Sequence, residues 1–181
     1  RILIVDNVDH NTLYAGGVSG GIFKSTTGGD HWVSKTYTAE MGGLIISCGA
    51  QAPNGDLYFG TGEQPFTVLS TGIGNSGSMG GGIYKSTDRG ETWTRLPSTD
   101  PAVSTKWENV MRIAINPKTG AIYAATQSGL QESTDGGTTW ASYPGATGIK
   151  YQDVNVSPDG RTVFAASYTT GCKLWRSIDH S

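Results

Sequence analysis

Apolar and polar residues alternate in short runs along the chain, and these runs recur in a fixed order. One unit, from Val110 to Tyr143, reads VMRIAINPKTGAIYAATQSGLQESTDGGTTWASY. The alternating run MRIAI and the apolar run AIYAAT flank NPKTG, a turn in which Pro117 fixes φ and Gly120 permits a positive φ. A period of two is typical of β-strands. The unit therefore predicts four strands, with a turn after the first strand and another after the third.

Three other segments follow the same plan. They begin RILIVDNVDHNTLYAGG at Arg1, GLIISCGAQAPNGDLYFGTG at Gly43 and YQDVNVSPDGRTVFAAS at Tyr151. A four-stranded unit repeated in this way is typical of β-propeller blades. The pattern predicts an all-β, partial propeller with antiparallel blades at about 1–40, 41–104, 105–147 and 148–181, the last of them incomplete.

A short motif recurs between the third and fourth predicted strands. The copies are STTGGDHW from Ser25, STDRGETW from Ser86, STDGGTTW from Ser133, and a partial copy that includes Ser177. Their first residues are 61, 47 and 44 apart, so the longer first spacing indicates an insertion in the second unit.

The motif has the chemistry of a self-contained hairpin turn. Its Ser and Asp side chains can accept hydrogen bonds from backbone N–H groups, for Asp from the residue two positions on, and its Gly can take a positive φ. Its Thr resumes the strand and its Trp is predicted to fill space between blades. The first copy departs from the pattern, with Thr27 at the Asp position. The assigned positions are Ser25, Gly29, Trp32, Ser86, Asp88, Gly90, Thr92, Trp93, Ser133, Asp135, Gly137, Thr139, Trp140, Ser177 and Asp179.

Composition narrows the function classes. Only 15% of residues are charged and the net charge is −2, which argues against disorder, nucleic-acid binding and an anionic membrane surface. No apolar run has the length of a membrane span, and no signal peptide is recognised, so we expect a mature product or an excerpt of a longer chain. No Cys/His spacing or phosphate-binding loop is present, so no metal or cofactor is expected. Cys48 and Cys172 are equally consistent with a disulfide and with two thiols.

STDRGETW and STDGGTTW resemble the Asp-box, also called the bacterial neuraminidase repeat. It recurs in sialidases, sortilin-like propellers, xyloglucanase-type glycoside hydrolases and a photosystem assembly factor. LYFGTGE followed by GGGIYKSTDRGETW is especially similar to bacterial sortilin-type propeller proteins. The resemblance covers essentially the whole chain and implies a propeller of bacterial origin, secreted or at the cell surface. Because the motif occurs in enzymes and binding proteins alike, function must be argued from a site.

Propeller geometry places the repeat turns on one face of the disc, and the resembling enzymes have their active site on the other. An insertion, GEQPFTVLSTGIGNSGSMGGG from Gly62 to Gly82, falls on that other face, as do the connections between blades. We call it the insertion face. Aromatic rings beside carboxylates and amides suit a carbohydrate or peptide ligand, although each ring has a purely structural alternative. The candidate ligand-binding residues are Glu40, Glu63, Gln64, Phe66, Trp107, Glu108, Tyr151 and Tyr168.

Two functional hypotheses follow. The leading one is a non-catalytic, secreted or cell-surface module that binds a protein or glycan or acts as a scaffold. The alternative is a segment of a xyloglucanase- or sialidase-like glycoside hydrolase whose catalytic carboxylates lie partly outside this segment, although the arginines here do not match a sialidase pattern. In either case the remaining blades would come from a longer chain or from a second chain that completes the propeller.

Overall fold

A computed structural model describes residues 1–36, 45–63, 66–68, 73–75, 77–168 and 173–178. Blade one contains β1 Ile2–Val5, β2 Leu13–Gly17, β3 Gly21–Ser25 and β4 Val33–Ser34. Blade two begins with β5 Ile46–Gln51 and β6 Leu57–Thr61, continues through an inserted hairpin of β7 Phe66–Val68 and β8 Ile73–Asn75, and ends with β9 Ile83–Ser86 and β10 Thr94–Arg95. Blade three contains β11 Val110–Ile115, β12 Ile122–Thr126, β13 Gly129–Ser133 and β14 Ala141–Thr147. Blade four contains β15 Tyr151–Val156, β16 Thr162–Ser167 and β17 Leu174–Ile178.

Each blade is an antiparallel sheet whose strands pair in chain order, except that β6 pairs with β9 across the inserted hairpin. The first strands lie side by side, since β5 contacts β1 and β11, and β11 contacts β15. The fold is therefore a partial β-propeller of four blades, and the predicted fold class is confirmed. Two short 3-10 turns, Pro97–Thr99 and Thr105–Trp107, connect blades two and three. No helix in the described ranges is long and apolar enough to cross a membrane.

Alternation along the strands buries both faces of the inner blades. In β6, Leu57 and Phe59 belong to an apolar cluster with blade one, whereas Tyr58 belongs to a cluster with blade three. A third cluster joins blades three and four. The period of two in the apolar pattern therefore corresponds to strands packed on both faces, rather than to one buried face and one solvent-exposed face.

The repeat turns are held by their own side chains. Ser86 and Ser133 accept hydrogen bonds from the N–H of the motif glycine, at 2.8 and 2.9 Å. Asp135 accepts bonds from both the N–H and the hydroxyl of Thr139, at 2.9 and 2.6 Å. Asp88 makes the same contacts. The donor thus lies four residues after the aspartate, and the expectation of a donor two residues on is wrong.

These bonds fix the ionisation of the turn carboxylates. The pKa of Asp135 is lowered to about 2, first by the hydroxyl and N–H of Thr139 and then by Ser133. For Asp88, desolvation opposes ionisation, but bonds from Thr92 and Ser86 outweigh it and lower the pKa to about 2. In the first copy the Thr27 hydroxyl takes the aspartate's place and accepts the N–H of His31 at 2.9 Å.

The motif tryptophans of blades two and three pack against the preceding blade, whereas the motif tryptophan of blade one does not. Trp93 is 7% exposed and packs with blade one's residues, and Trp140 packs against the cluster between blades two and three. Each ring therefore faces the preceding blade. Trp32 faces the open side of blade one and is 39% exposed.

Both end faces of the array expose apolar side chains. The open side of blade one exposes Leu3, Val5 and Trp32, and that of blade four exposes Phe164 and Leu174. Since the corresponding positions in the inner blades are buried or partly buried, these faces have the character of inter-blade surfaces.

Cys48 is a buried free thiol in β5. Burial raises its pKa to about 11, so it is protonated and unreactive at neutral pH. Cys172 and Asp179 lie outside the described residues.

Candidate functional site

The insertion face is organised around the base of the insertion. Glu63 and Ser78 exchange two backbone hydrogen bonds, of 2.8 and 3.1 Å, which close the insertion into a stem. Gly62, with φ 99°, makes the sharp exit from β6 that this stem requires. The insertion contains the hairpin β7–β8, so it is not a plain spacer.

The stem brings together Glu63 and Glu108, two of the predicted site residues. The carbonyl of Glu108 accepts the N–H of Gly80 at 2.7 Å. A Cβ added to Gly62 would lie only 2.1 Å from the same carbonyl oxygen, so the backbones of residues 62 and 108 are in direct contact. The base of the insertion and the connection before β11 therefore meet, and this contact brings the backbones of Glu63 and Glu108 close together.

A cation accompanies this pair. The guanidinium of Arg1 forms an ion pair with the Glu63 carboxylate, and both side chains are partly exposed, at 34% and 24%. An arginine held against a carboxylate presents its remaining N–H donors in a fixed direction, which suits oxygen-rich ligands. Arg1 gave no signal as a site residue in the sequence, because it lies far from the insertion along the chain.

Asn109 adds a buried polar group beside Glu108. It is 5% exposed, and its Oδ1 accepts no hydrogen bond from the described residues. Nearby, the ammonium of Lys106 lies 5.2 Å from the centroid of the Trp107 ring and donates to Gln131 at 3.1 Å. Burial lowers the pKa of Lys106. Asn109 gave no signal in the sequence, since a single Asn before a strand is common.

Two of the aromatic residues that were predicted to bind a ligand are buried instead. Trp107 and Tyr151 are each 1% exposed and belong to the clusters on the two sides of blade three. Trp107 meets Trp140 edge to face, with ring centroids 5.0 Å apart. Neither ring offers a surface to a ligand in this structure, so burial argues against the prediction that they bind one.

The other predicted residues are placed as follows. Tyr168 is 39% exposed, and its N–H donates a hydrogen bond to the carbonyl of Lys150 at 3.0 Å. Phe66 begins β7, but its side chain lies outside the described part of the structure. Glu40 and Gln64 lie outside the described residues altogether. Of the described residues, Arg1, Glu63, Glu108 and Tyr168 remain candidates for a ligand site on the insertion face.

No protein-family model matches the chain. Among curated proteins, it is similar to a xyloglucanase from a Paenibacillus species, 29% identical over 154 residues, which is 70% of this chain and 13% of that protein. It is also similar to the xyloglucanase Xgh74A of Acetivibrio thermocellus, 26% identical over 172 residues, or 79% of this chain and 19% of that one. The chain thus spans less than a fifth of the length of these two relatives.

Solved structures agree on the architecture. An ancestral GH74 enzyme superposes with a TM-score of 0.71 at 19% identity, over 98% of this chain and 24% of that chain. The GH74 xyloglucanase from Xanthomonas campestris gives 0.71 at 17% identity, over 99% and 28%. The chain is therefore a propeller segment with the fold found in GH74 enzymes. The sortilin-type resemblance and the Asp-box assignment stay predictions.

Proposed function

We propose that this chain is a segment of a xyloglucanase-like glycoside hydrolase and that its insertion face binds a glucan chain. The observation that carries the proposal is the sequence similarity to two xyloglucanases over most of the chain, combined with Glu63 and Glu108 brought together on the insertion face. This favours the hydrolase-segment hypothesis over a non-catalytic module or scaffold.

The site residues divide the binding task. Glu108 and the Arg1–Glu63 pair provide charged acceptors and donors for sugar hydroxyls. Tyr168 provides an exposed ring for the apolar face of a pyranose. The catalytic pair is placed partly outside this segment.

The same proposal explains the end faces. The exposed apolar residues of blades one and four stand where the inner blades bury theirs. We propose that further blades of a longer chain cover both faces. The polymeric substrate then implies an extracellular or cell-surface location in a bacterium.

Binding can be tested by calorimetric titration of the chain with a xylogluco-oligosaccharide. Binding without hydrolysis is expected, and Glu108→Gln should weaken it at least tenfold because a charge-assisted hydrogen bond is lost. Asp30→Asn is the matched control, since Asp30 is exposed on the repeat-turn face, and it should bind as the wild type does.

Absence of binding to the oligosaccharide would contradict the proposed function. Equal loss in Glu108→Gln and Asp30→Asn would contradict the location of the site. Hydrolysis that disappears in Glu108→Gln would instead place the catalytic pair inside this segment.

A further inference from the structure

Each of the first three blades places one residue, just after its first strand, at the junction with the next blade. These residues are Asp6, Ala52 and Asn116, and each donates its N–H to the carbonyl just before the second strand, at 2.9, 2.8 and 2.8 Å. All three are 5% exposed or less. They are therefore equivalent positions of the repeat, with a carboxylate, a methyl group and an amide respectively.

The first junction is filled by Asp6. Its carboxylate accepts hydrogen bonds from the Tyr14 hydroxyl at 2.9 Å and from Gln51 at 3.0 Å. It also pairs with the guanidinium of Arg89, from the turn of blade two, at 2.9 Å. The third junction is bridged by Asn116, whose Nδ2 donates to the carbonyl of Gly160 at 2.9 Å.

The second junction contains neither a carboxylate nor a guanidinium at the equivalent positions. Ala52 replaces the carboxylate, and Gly136, at the motif position of Arg89, replaces the guanidinium. A cleft of about 320 Å³ occupies the region between blades two and three, and Tyr58, the equivalent of Tyr14, lies at its wall. This volume is at the lower end of the range for small-molecule sites.

The charges that line the cleft favour an anion. Lys85 lies 5.2 Å from the centroid of the Tyr58 ring and pairs with Asp56 at 2.8 Å. Lys118 is exposed at the rim and makes no ion pair with any described residue. The lining of the cleft therefore includes two lysines and one aspartate. Thr119 and Thr134 add hydroxyls that match a polyhydroxylated ligand.

We propose that this cleft binds a sugar acid of monosaccharide size, such as a hexuronate, whose carboxylate takes the place that Asp6 occupies in the first junction. Lys118 supplies the counter-charge, and the threonine hydroxyls contact the ring. Lys85 lies at the wall with the Tyr58 hydroxyl, which donates to the carbonyl of Gly136 at 3.2 Å. The site lies on the repeat-turn face, opposite the proposed glucan surface, so it is independent of the proposed function.

The test is an amide-resonance titration of the chain by NMR with D-glucuronate, using D-glucose as the uncharged probe. Glucuronate is expected to shift resonances of residues 52–58 and 118–120 in a saturable way, and glucose is not. A disaccharide that ends in glucuronate distinguishes two sources of the ligand. It should bind more tightly than glucuronate if the cleft takes the end of a glycan, and no more tightly if the cleft takes a free sugar acid.

Two variants locate the site. Lys118→Gln should weaken glucuronate binding at least tenfold, and Ala52→Asp should abolish it by restoring the first junction's carboxylate. Lys150→Gln, an exposed lysine outside the cleft, is the control. The proposal is overturned if glucuronate fails to shift these resonances, if glucose binds equally well, or if binding survives in Lys118→Gln.

Discussion

Replacing Trp107 with alanine is expected to lower the free energy of unfolding by about 3–5 kcal/mol, the usual cost of removing a buried large aromatic side chain. The ring is 1% exposed and packs between blades two and three. It also meets Trp140 edge to face at 5.0 Å, a contact that adds to area burial. Urea denaturation followed by far-UV circular dichroism measures the change without relying on tryptophan fluorescence.

Trp32→Ala is the matched control for this experiment. Trp32 is 39% exposed on the open side of blade one, so its removal should cost less than half as much. A Trp107→Ala protein as stable as the wild type would show that the ring is not part of the core. It would also restore the hypothesis that Trp107 is a ligand-binding residue.

The outcome for Trp107 shows where sequence patterns are informative and where they are not. Alternation along runs such as MRIAI and AIYAAT predicts strands and, through their repetition, the propeller, because both depend on local spacing. Whether a lone aromatic in a connection points outward or inward depends on the path of that connection. The 3-10 turn Thr105–Trp107, which turns the ring inward, has no such repeated pattern.

The candidate site could be predicted from the sequence only where it depends on the spacing of the repeats. The insertion and its face followed from the spacing of the repeats, and the contact between the regions of Glu63 and Glu108 is a consequence of that face. Arg1 was missed because it joins the candidate site through a tertiary contact alone. A single sequence has no signal for such a contact.

Arg89 illustrates a departure from the repeat that has a structural cause. It has φ 58°, a conformation in which the other copies place Gly28 and Gly136. A side chain there is strained, but its guanidinium reaches Asp6 across the junction. The mismatch between STDRGETW and STDGGTTW therefore marks the partner of a buried carboxylate, which the motif alone does not reveal.

Replacing Asp6 with asparagine is expected to lower the free energy of unfolding by about 2–4 kcal/mol at neutral pH, because buried donors lose an ionised acceptor. Asp6 is 1% exposed. Its oxygens accept hydrogen bonds from the N–H groups of Val8 and Asp9, from the Tyr14 hydroxyl and from Gln51. Asparagine can accept at one position only, and its NH₂ group faces these donors. Urea unfolding at neutral pH measures the loss.

The pH dependence identifies the charge as the cause. Burial opposes ionisation of Asp6, but the hydrogen bonds from Asp9, Val8, Gln51 and Tyr14 outweigh it and hold its pKa well below the ordinary value. A depressed folded-state pKa gives stability that is present above the unfolded value of about 3.9 and is lost as the pH falls toward the folded value. The stability gap between wild type and Asp6→Asn should therefore narrow below about pH 4.

Asp88 and Asp135 titrate in both proteins and cancel in the comparison, and Asp30→Asn should match the wild type throughout. A gap that stays constant down to pH 2 would mean that shape, rather than charge, makes Asp6 important.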